Sequence, residues 1–275
     1  MKSIRPRRVS HPNVILENYE ASVAHLRDLF GAEFLMDLPR PEWHACLVDI
    51  GGLIFELFSP TNFLLHSRHG AHFLGMEYEA DMTEVREAMA AHGVRSIRDI
   101  GVACHTSPAD CFGVDFEFYQ DSFYENLSAD AAPRMISRVR PVEYWRDQHP
   151  LGMHGLKAYT IAVSDIEAAK CFVQSFLSGV VVRDEVRPEI AARALELQVA
   201  DTLVELLSPM GDGLLRRQLE RIGQGILSVV FRVRDLEQAR RYFAQRNVEL
   251  VNGTAWNRLL VAPTANLGVF FEFSE

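Results

Sequence analysis

Short apolar runs alternate along the chain with stretches in which apolar residues recur every three or four positions, and the pattern repeats four times. The helix-period stretches are NYEASVAHLRDLFG (18–31), ADMTEVREAMAAHG (80–93), SDIEAAKCFVQSFLSG (164–179) and RDLEQARRYFAQRN (234–247). Each opens near Asn, Asp or Ser with acidic groups in its first turn, where unpaired amides and the positive dipole end favour oxygen and negative charge. The first three end on Gly, which predicts a left-handed cap. Each stretch leads into strands that close on an apolar run with a glutamate at its centre: LIFELFSP (53–60), VDFEFYQ (114–120), TLVELLSP (202–209) and VFFEFSE (269–275). The central residues are Glu56, Glu117, Glu205 and Glu272. The fold class this predicts is α+β, built from four βαβββ modules.

The tails ELFSP and ELLSP of the first and third modules match, so the repeat is nested. Modules 8–60 and 70–120 form a domain over 1–120, and modules 153–209 and 224–275 form its duplicate over 153–275. The stretch 121–152 has mixed polarity and three prolines and is read as a linker, packed through Tyr144 and Trp145.

A length of 275 residues suits two such domains of about 130 each. Hydrophobic residues at 48% and charged residues at 24% are ordinary for a globular chain, so a sizeable core is expected. The net charge of −9 argues against nucleic acid or an anionic membrane as partner, since both reward basic surfaces. Cys46, Cys104, Cys111 and Cys171 show no CxxC spacing and read as free thiols. The basic N-terminus lacks the apolar run of a secretory signal, and no run is long enough to span a bilayer, so a cytoplasmic protein is expected.

Candidate chemistry sits in the first half. His11 precedes Glu56 by 45 positions, and His72 precedes Glu117 by the same interval, 56 minus 11 and 117 minus 72. Two imidazoles and two carboxylates form a mixed nitrogen and oxygen set suited to Fe, Mn, Ni, Co or Zn. Period-two alternation adds Asn13, Phe58 and Tyr119 on the same side as these residues, with Phe116 and Phe118 on the other. His105, on a strand before the last, is a candidate acid or base. His25, His44, His66, His69, His92 and His149 read as surface residues, and Arg216 and Arg217 as a solvated helix face.

Four βαβββ units with His on the first strand and Glu on the last resemble the vicinal oxygen chelate superfamily. That superfamily includes glyoxalase I, methylmalonyl-CoA epimerase, type I extradiol dioxygenases and the bleomycin and fosfomycin resistance proteins. The resemblance implies two glyoxalase-like domains with curved, cup-shaped mixed sheets, and a divalent metal ion held by His11, Glu56, His72 and Glu117. Counting nine back from the helix-start acid gives His11 from Glu20, Ala158 from Glu167 and Ser228 from Glu237. The second half therefore lacks the histidines and reads as a degenerate duplicate; His154 lies four residues too early to replace one. In module 2 the turn EYEADM is read as two residues longer, which predicts His72 on the same strand face as His11.

The full quartet implies a metal-dependent lyase or isomerase that chelates a small substrate through adjacent oxygens and moves a proton next to a carbonyl through a metal-stabilised enolate. Glu117 or Glu56 is the expected base, with Tyr119 and His105 as further catalytic candidates. The four-module layout also resembles the Fe(II) extradiol ring-cleaving dioxygenases, acting on a catechol- or hydroquinone-like ring. A third reading is a non-enzymatic protein that sequesters a small molecule. The resemblance also implies a homodimer.

Overall fold

A computed structural model describes residues 2–39, 44–62, 65–66, 70–125 and 137–275. Module 1 runs β1 (Arg8–Ile15), α1 (Tyr19–Phe30), β2 (Glu33–Pro39), β3 (His44–Ile50) and β4 (Leu53–Phe58). A short hairpin, β5 (Thr61–Asn62) and β6 (Leu65–His66), leads to module 2: β7 (His72–Glu79), α2 (Met82–His92), β8 (Ser96–Asp99), β9 (Ala103–Thr106) and β10 (Asp115–Tyr119). Module 3 is β11 (Met153–Ala162), α3 (Ile166–Phe176), β12 (Val180–Arg187), β13 (Ala192–Val199) and β14 (Thr202–Pro209). After α4 (Leu214–Arg221), module 4 is β15 (Gly225–Val233), α5 (Leu236–Ala244), β16 (Leu250–Asn252), β17 (Leu259–Val261) and β18 (Phe270–Ser274).

The modules pair into two eight-stranded mixed sheets, curved and open, in the orders β2-β3-β4-β1-β7-β10-β9-β8 and β12-β13-β14-β11-β15-β18-β17-β16. The expected α+β class with two repeated sheets is what forms. In every module the first strand runs parallel to the closing strand, joined through the helix. The parallel register sets the site, because it pairs each central glutamate with a fixed partner: Asn13 with Glu56, Glu77 with Glu117, Thr160 with Glu205 and Val230 with Glu272.

The helix signals act as expected at their starts. Asn18, Asp81, Asp165 and Asp235 each accept hydrogen bonds from first-turn amides. Gly31 and Gly93 take the left-handed caps of α1 and α2. The third helix departs from the expectation: it stops at Leu177, and Ser178 rather than Gly179 adopts the positive φ, 55°.

Close contacts gather the chain into two compact units, each drawing one module from each sequence half. The first comprises 1–12, 74–132 and 158–227. In its core Phe116 and Phe118 pack against Phe172 and Phe176 of α3, and the buried hydroxyls of Tyr78 and Tyr159 meet at 2.8 Å. Phe116 and Phe118 thus turn to the helix side, as their alternation with Glu117 predicts. The second unit comprises 13–73, 133–157 and 228–275, with a cluster of Phe30, Phe55, Phe231, Phe243, Phe271 and Phe273. Burying each such ring contributes about 1.5–3 kcal/mol.

The linker is anchored through Trp145, which is fully buried and donates from Nε1 to Asp49 Oδ2 at 3.2 Å. His149 corrects the surface reading: it is 8% exposed, its ring tilted against those of Trp145 and Tyr242. The side chains of His66 and His69 lie outside the described residues. All four cysteines are free. No helix among the described residues is long and apolar enough to cross a membrane.

Candidate metal centre

Strand alternation in module 2 creates the site. In β7 the apolar Leu74, Met76 and Tyr78 alternate with Gly75, Glu77 and Glu79, and in β10 Phe116 and Phe118 alternate with Asp115, Glu117 and Tyr119. The parallel ladder sets Gly75 opposite Asp115, Glu77 opposite Glu117 and Glu79 opposite Tyr119, so four carboxylates share one side of the pair; Arg8 pairs with Glu79 at 2.8 Å. His11 of β1 joins them, and ligand atoms of His11, Glu77 and Glu117 all lie within 4.8 Å of one another. The three residues are buried, with exposures of 1%, 2% and 7%.

Each member is held by a neighbour. His11 Nδ1 is 3.2 Å from Glu77 Oε1, and Ser10 Oγ donates to the same oxygen at 2.5 Å. The His11 ring rests on Phe123, with centroids 4.6 Å apart. Glu117 Oε1 is 3.0 Å from His105 Nε2, whose other nitrogen, Nδ1, is 2.8 Å from Asp115 Oδ2. Burial disfavours a charged imidazole at His105, but Glu117 and Asp115 on its two sides outweigh this and hold it well above 6.5. Burial pushes the Asp115 carboxyl up, against the pull of His105.

These residues fit a divalent cation. Two buried carboxylates directly opposed in a ladder repel unless a proton or a cation lies with them. One imidazole and two carboxylates form a hard to borderline donor set, matching Mn, Fe, Co, Ni or Zn rather than a thiolate-seeking ion.

Of the residues expected at the metal, His11 and Glu117 are in this group and Glu56 and His72 are not. Glu56 is buried on β4, opposite Asn13 and Leu47. His72 opens β7, half-buried, with Nδ1 2.7 Å from the Gly70 carbonyl oxygen. It stands three residues before Gly75, an odd interval, so alternation turns it to the other strand face from Glu77. Both belong to the second compact unit, whereas His11, Glu77 and Glu117 belong to the first. Tyr119 ends β10, half-buried and edge-on to Phe123 at 5.6 Å. Glu77, Asp115 and Ser10 were not among the expected residues, although the polar alternation of GMEYE and VDFEFY carries the first two.

The matching glutamates of the second half are balanced without a metal. Glu205 lies 3.1 Å from Arg187, which also reaches Glu196 and Glu185, each at 2.8 Å. Glu272 accepts from Ser228 Oγ at 2.5 Å and from the Thr254 amide at 2.9 Å, with Arg258 at 3.8 Å.

No family model matches the chain, and no curated protein matches it. Among solved structures, a variant of 4-hydroxymandelate synthase from Streptomyces coelicolor is 13% identical, covers 98% of this chain and 92% of its own, and superposes with a TM-score of 0.71. Methylmalonyl-CoA epimerase from Mycobacterium tuberculosis is 26% identical over 44% of this chain and 87% of its own, with a TM-score of 0.42. A methylmalonyl-CoA epimerase variant from Streptomyces coelicolor is 20% identical over 43% and 94%, with a TM-score of 0.41. The full-length likeness to 4-hydroxymandelate synthase shows the fold: the chain has the same tandem two-domain architecture as that protein.

Proposed function

We propose that the chain is a divalent-metal-dependent enzyme of the lyase or isomerase type, moving a proton next to the carbonyl of a small substrate with adjacent oxygens. One observation carries the reading: the buried His11, Glu77 and Glu117 group, whose ligand atoms lie within 4.8 Å of one another. A divalent cation bound there would supply Lewis-acid stabilisation of negative charge on a substrate oxygen. His11, Glu77 and Glu117 would hold it. Burial of the group excludes water and strengthens its electrostatics. Glu117 is the carboxylate we assign as proton acceptor, with His105 at its Oε1 keeping the side chain oriented. Tyr119, at the half-buried end of the same strand, is assigned to hydrogen-bond substrate.

An Fe(II) ring-cleaving dioxygenase is the alternative, and the donor set argues against it. Mononuclear non-haem iron oxygenases use two histidines and one carboxylate, whereas this group has one histidine and two carboxylates. We assign the metal to residues 1–120 and a structural role to 153–275, where Arg187 supplies the cation beside Glu205.

Metal analysis of protein purified without chelators tests the reading, using Glu77→Gln, Glu56→Gln and His72→Ala beside the wild type. Loss of bound metal in Glu77→Gln with retention in the other two is expected. Retention in Glu77→Gln with loss in His72→Ala would overturn this ligand set in favour of the one expected from spacing. Bound iron with oxygen uptake on catechols would replace the lyase reading by the dioxygenase.

A further inference from the structure

His105 and Asp115 lie outside the ligand group and adjoin it through Glu117. Glu117 and His105 are cross-strand partners in the antiparallel β9 and β10 ladder, and Asp115 stands two residues before Glu117 on the same strand face. The imidazole therefore sits between two carboxylates, with Nδ1 2.8 Å from Asp115 Oδ2 and Nε2 3.0 Å from Glu117 Oε1. With Asp115 and Glu117 ionised, both distances are hydrogen bonds donated by the ring nitrogens. All three side chains are buried, with exposures of 5%, 1% and 7% for His105, Asp115 and Glu117. Asp115 Oδ1 has no hydrogen-bond partner among the described residues. A buried carboxylate is costly unless paired, and His105, with the Thr106 backbone, offsets the burial of Asp115.

We propose that His105, itself fixed by Asp115, is a positioning residue that sets the rotation of the Glu117 carboxylate toward the cation site. Donation from Nε2 to Oε1 holds one Glu117 oxygen in the protein network. The carboxylate then meets a cation in one orientation instead of sampling several. Asp115 acts one step further out by fixing the ring plane through Nδ1. Supports of this kind, one bond beyond the ligands, typically change metal affinity 10–100-fold when removed. The inference rests on the proposed metal-binding role of His11, Glu77 and Glu117.

The test uses Mn(II) as probe, with the wild type, His105→Leu, His105→Gln, Asp115→Asn and the ligand variant Glu77→Gln. Free Mn(II) is titrated by electron paramagnetic resonance, and the line shape of the bound ion is recorded. The expected result is a dissociation constant raised about 10–100-fold in His105→Leu and Asp115→Asn, with a broadened bound-ion signal. His105→Gln, whose amide can still donate to Glu117, should recover part of the affinity. Thermal midpoints of the metal-free proteins identify any variant that fails to fold, and Asp115→Asn and His105→Leu then substitute for each other. Wild-type affinity and line shape in both variants, with binding lost in Glu77→Gln, would overturn the positioning role and leave the metal site standing. Absence of Mn(II) binding in the wild type would overturn the metal reading and this inference with it.

Discussion

Acidification should weaken this fold through one residue, His149. The ring lies in the second compact unit beside Trp145, with centroids 5.0 Å apart, and its Nδ1 accepts from the Leu151 amide at 3.3 Å. Burial, with smaller contributions from Arg246 and Arg140, lowers its pKa from 6.5 to about 4. The unfolded chain therefore binds this proton near pH 6.5 and the folded chain only near pH 4. Between those values the unfolded state carries more protons, so stability rises with pH; it is complete above pH 6.5 and lost as pH falls toward 4. At 1.36 kcal/mol per pH unit the full effect is about 3 kcal/mol, and the solvent-facing edge of the ring reduces it to about 2. His149→Asn keeps an acceptor near the Nδ1 position and removes the titration. Urea unfolding of both proteins from pH 7.5 to 4 gives the difference directly. That difference cancels Asp49, whose carboxyl burial pushes up to about 6 and which acts in the opposite sense, losing stability as pH rises. Expected is a gap between the two proteins that shifts by about 2 kcal/mol in favour of the variant on acidification. Parallel curves across the range would refute the buried-histidine argument.

Other perturbations test the register and the charge balance. Gly75→Ala would drive a Cβ into the carbonyl oxygen of Asp115, backbone that cannot rotate away, and should cost about 1–3 kcal/mol in urea unfolding. A wild-type midpoint would show that the β7 and β10 ladder tolerates separation there. Arg187→Met would remove the guanidinium that contacts both Glu205 and Glu196 in a buried setting and should destabilise by about 3–5 kcal/mol at pH 7. Much of that loss should return as the carboxylates protonate at lower pH; a loss independent of pH would point to packing instead. Asn18→Ala removes the acceptor for the Ala21 amide and should cost about 1 kcal/mol by thermal unfolding, with no change in metal content.

The sequence carries the modular fold because helix period, cap residues and apolar runs recur in the same order four times, and each signal is local. The site is only partly legible, because ligand identity depends on strand parity, which a count across a turn can lose. Anchoring the count at Glu84, the first-turn acid of α2, gives Gly75 nine residues earlier, whereas the longer-turn reading gives His72. The ladders agree with Gly75: His11, Gly75, Ala158 and Ser228 each stand two residues before the partner of the central glutamate. Equal spacing of 45 residues in the two His/Glu pairs therefore does not carry equal strand geometry. The burial of His149 has a different origin: it comes from Trp145 and Tyr242, residues near and far in sequence whose convergence no local pattern encodes.

The four glutamates occupy one position of the fold, and what faces them separates the modules. In module 3 Thr160 faces Glu205, and Arg187 neutralises it. In module 4 Val230 faces Glu272, which is satisfied by Ser228, Thr254 and the nearby Arg258. In module 2 a second carboxylate, Glu77, faces Glu117, with Asp115 close by. The basic groups in contact with these three acids include the imidazoles of His11 and His105. Desolvation makes an uncompensated buried charge costly by several kcal/mol. The same strand position that arginine balances in module 3 is thus occupied in module 2 by opposed carboxylates, with the imidazoles of His11 and His105 against them.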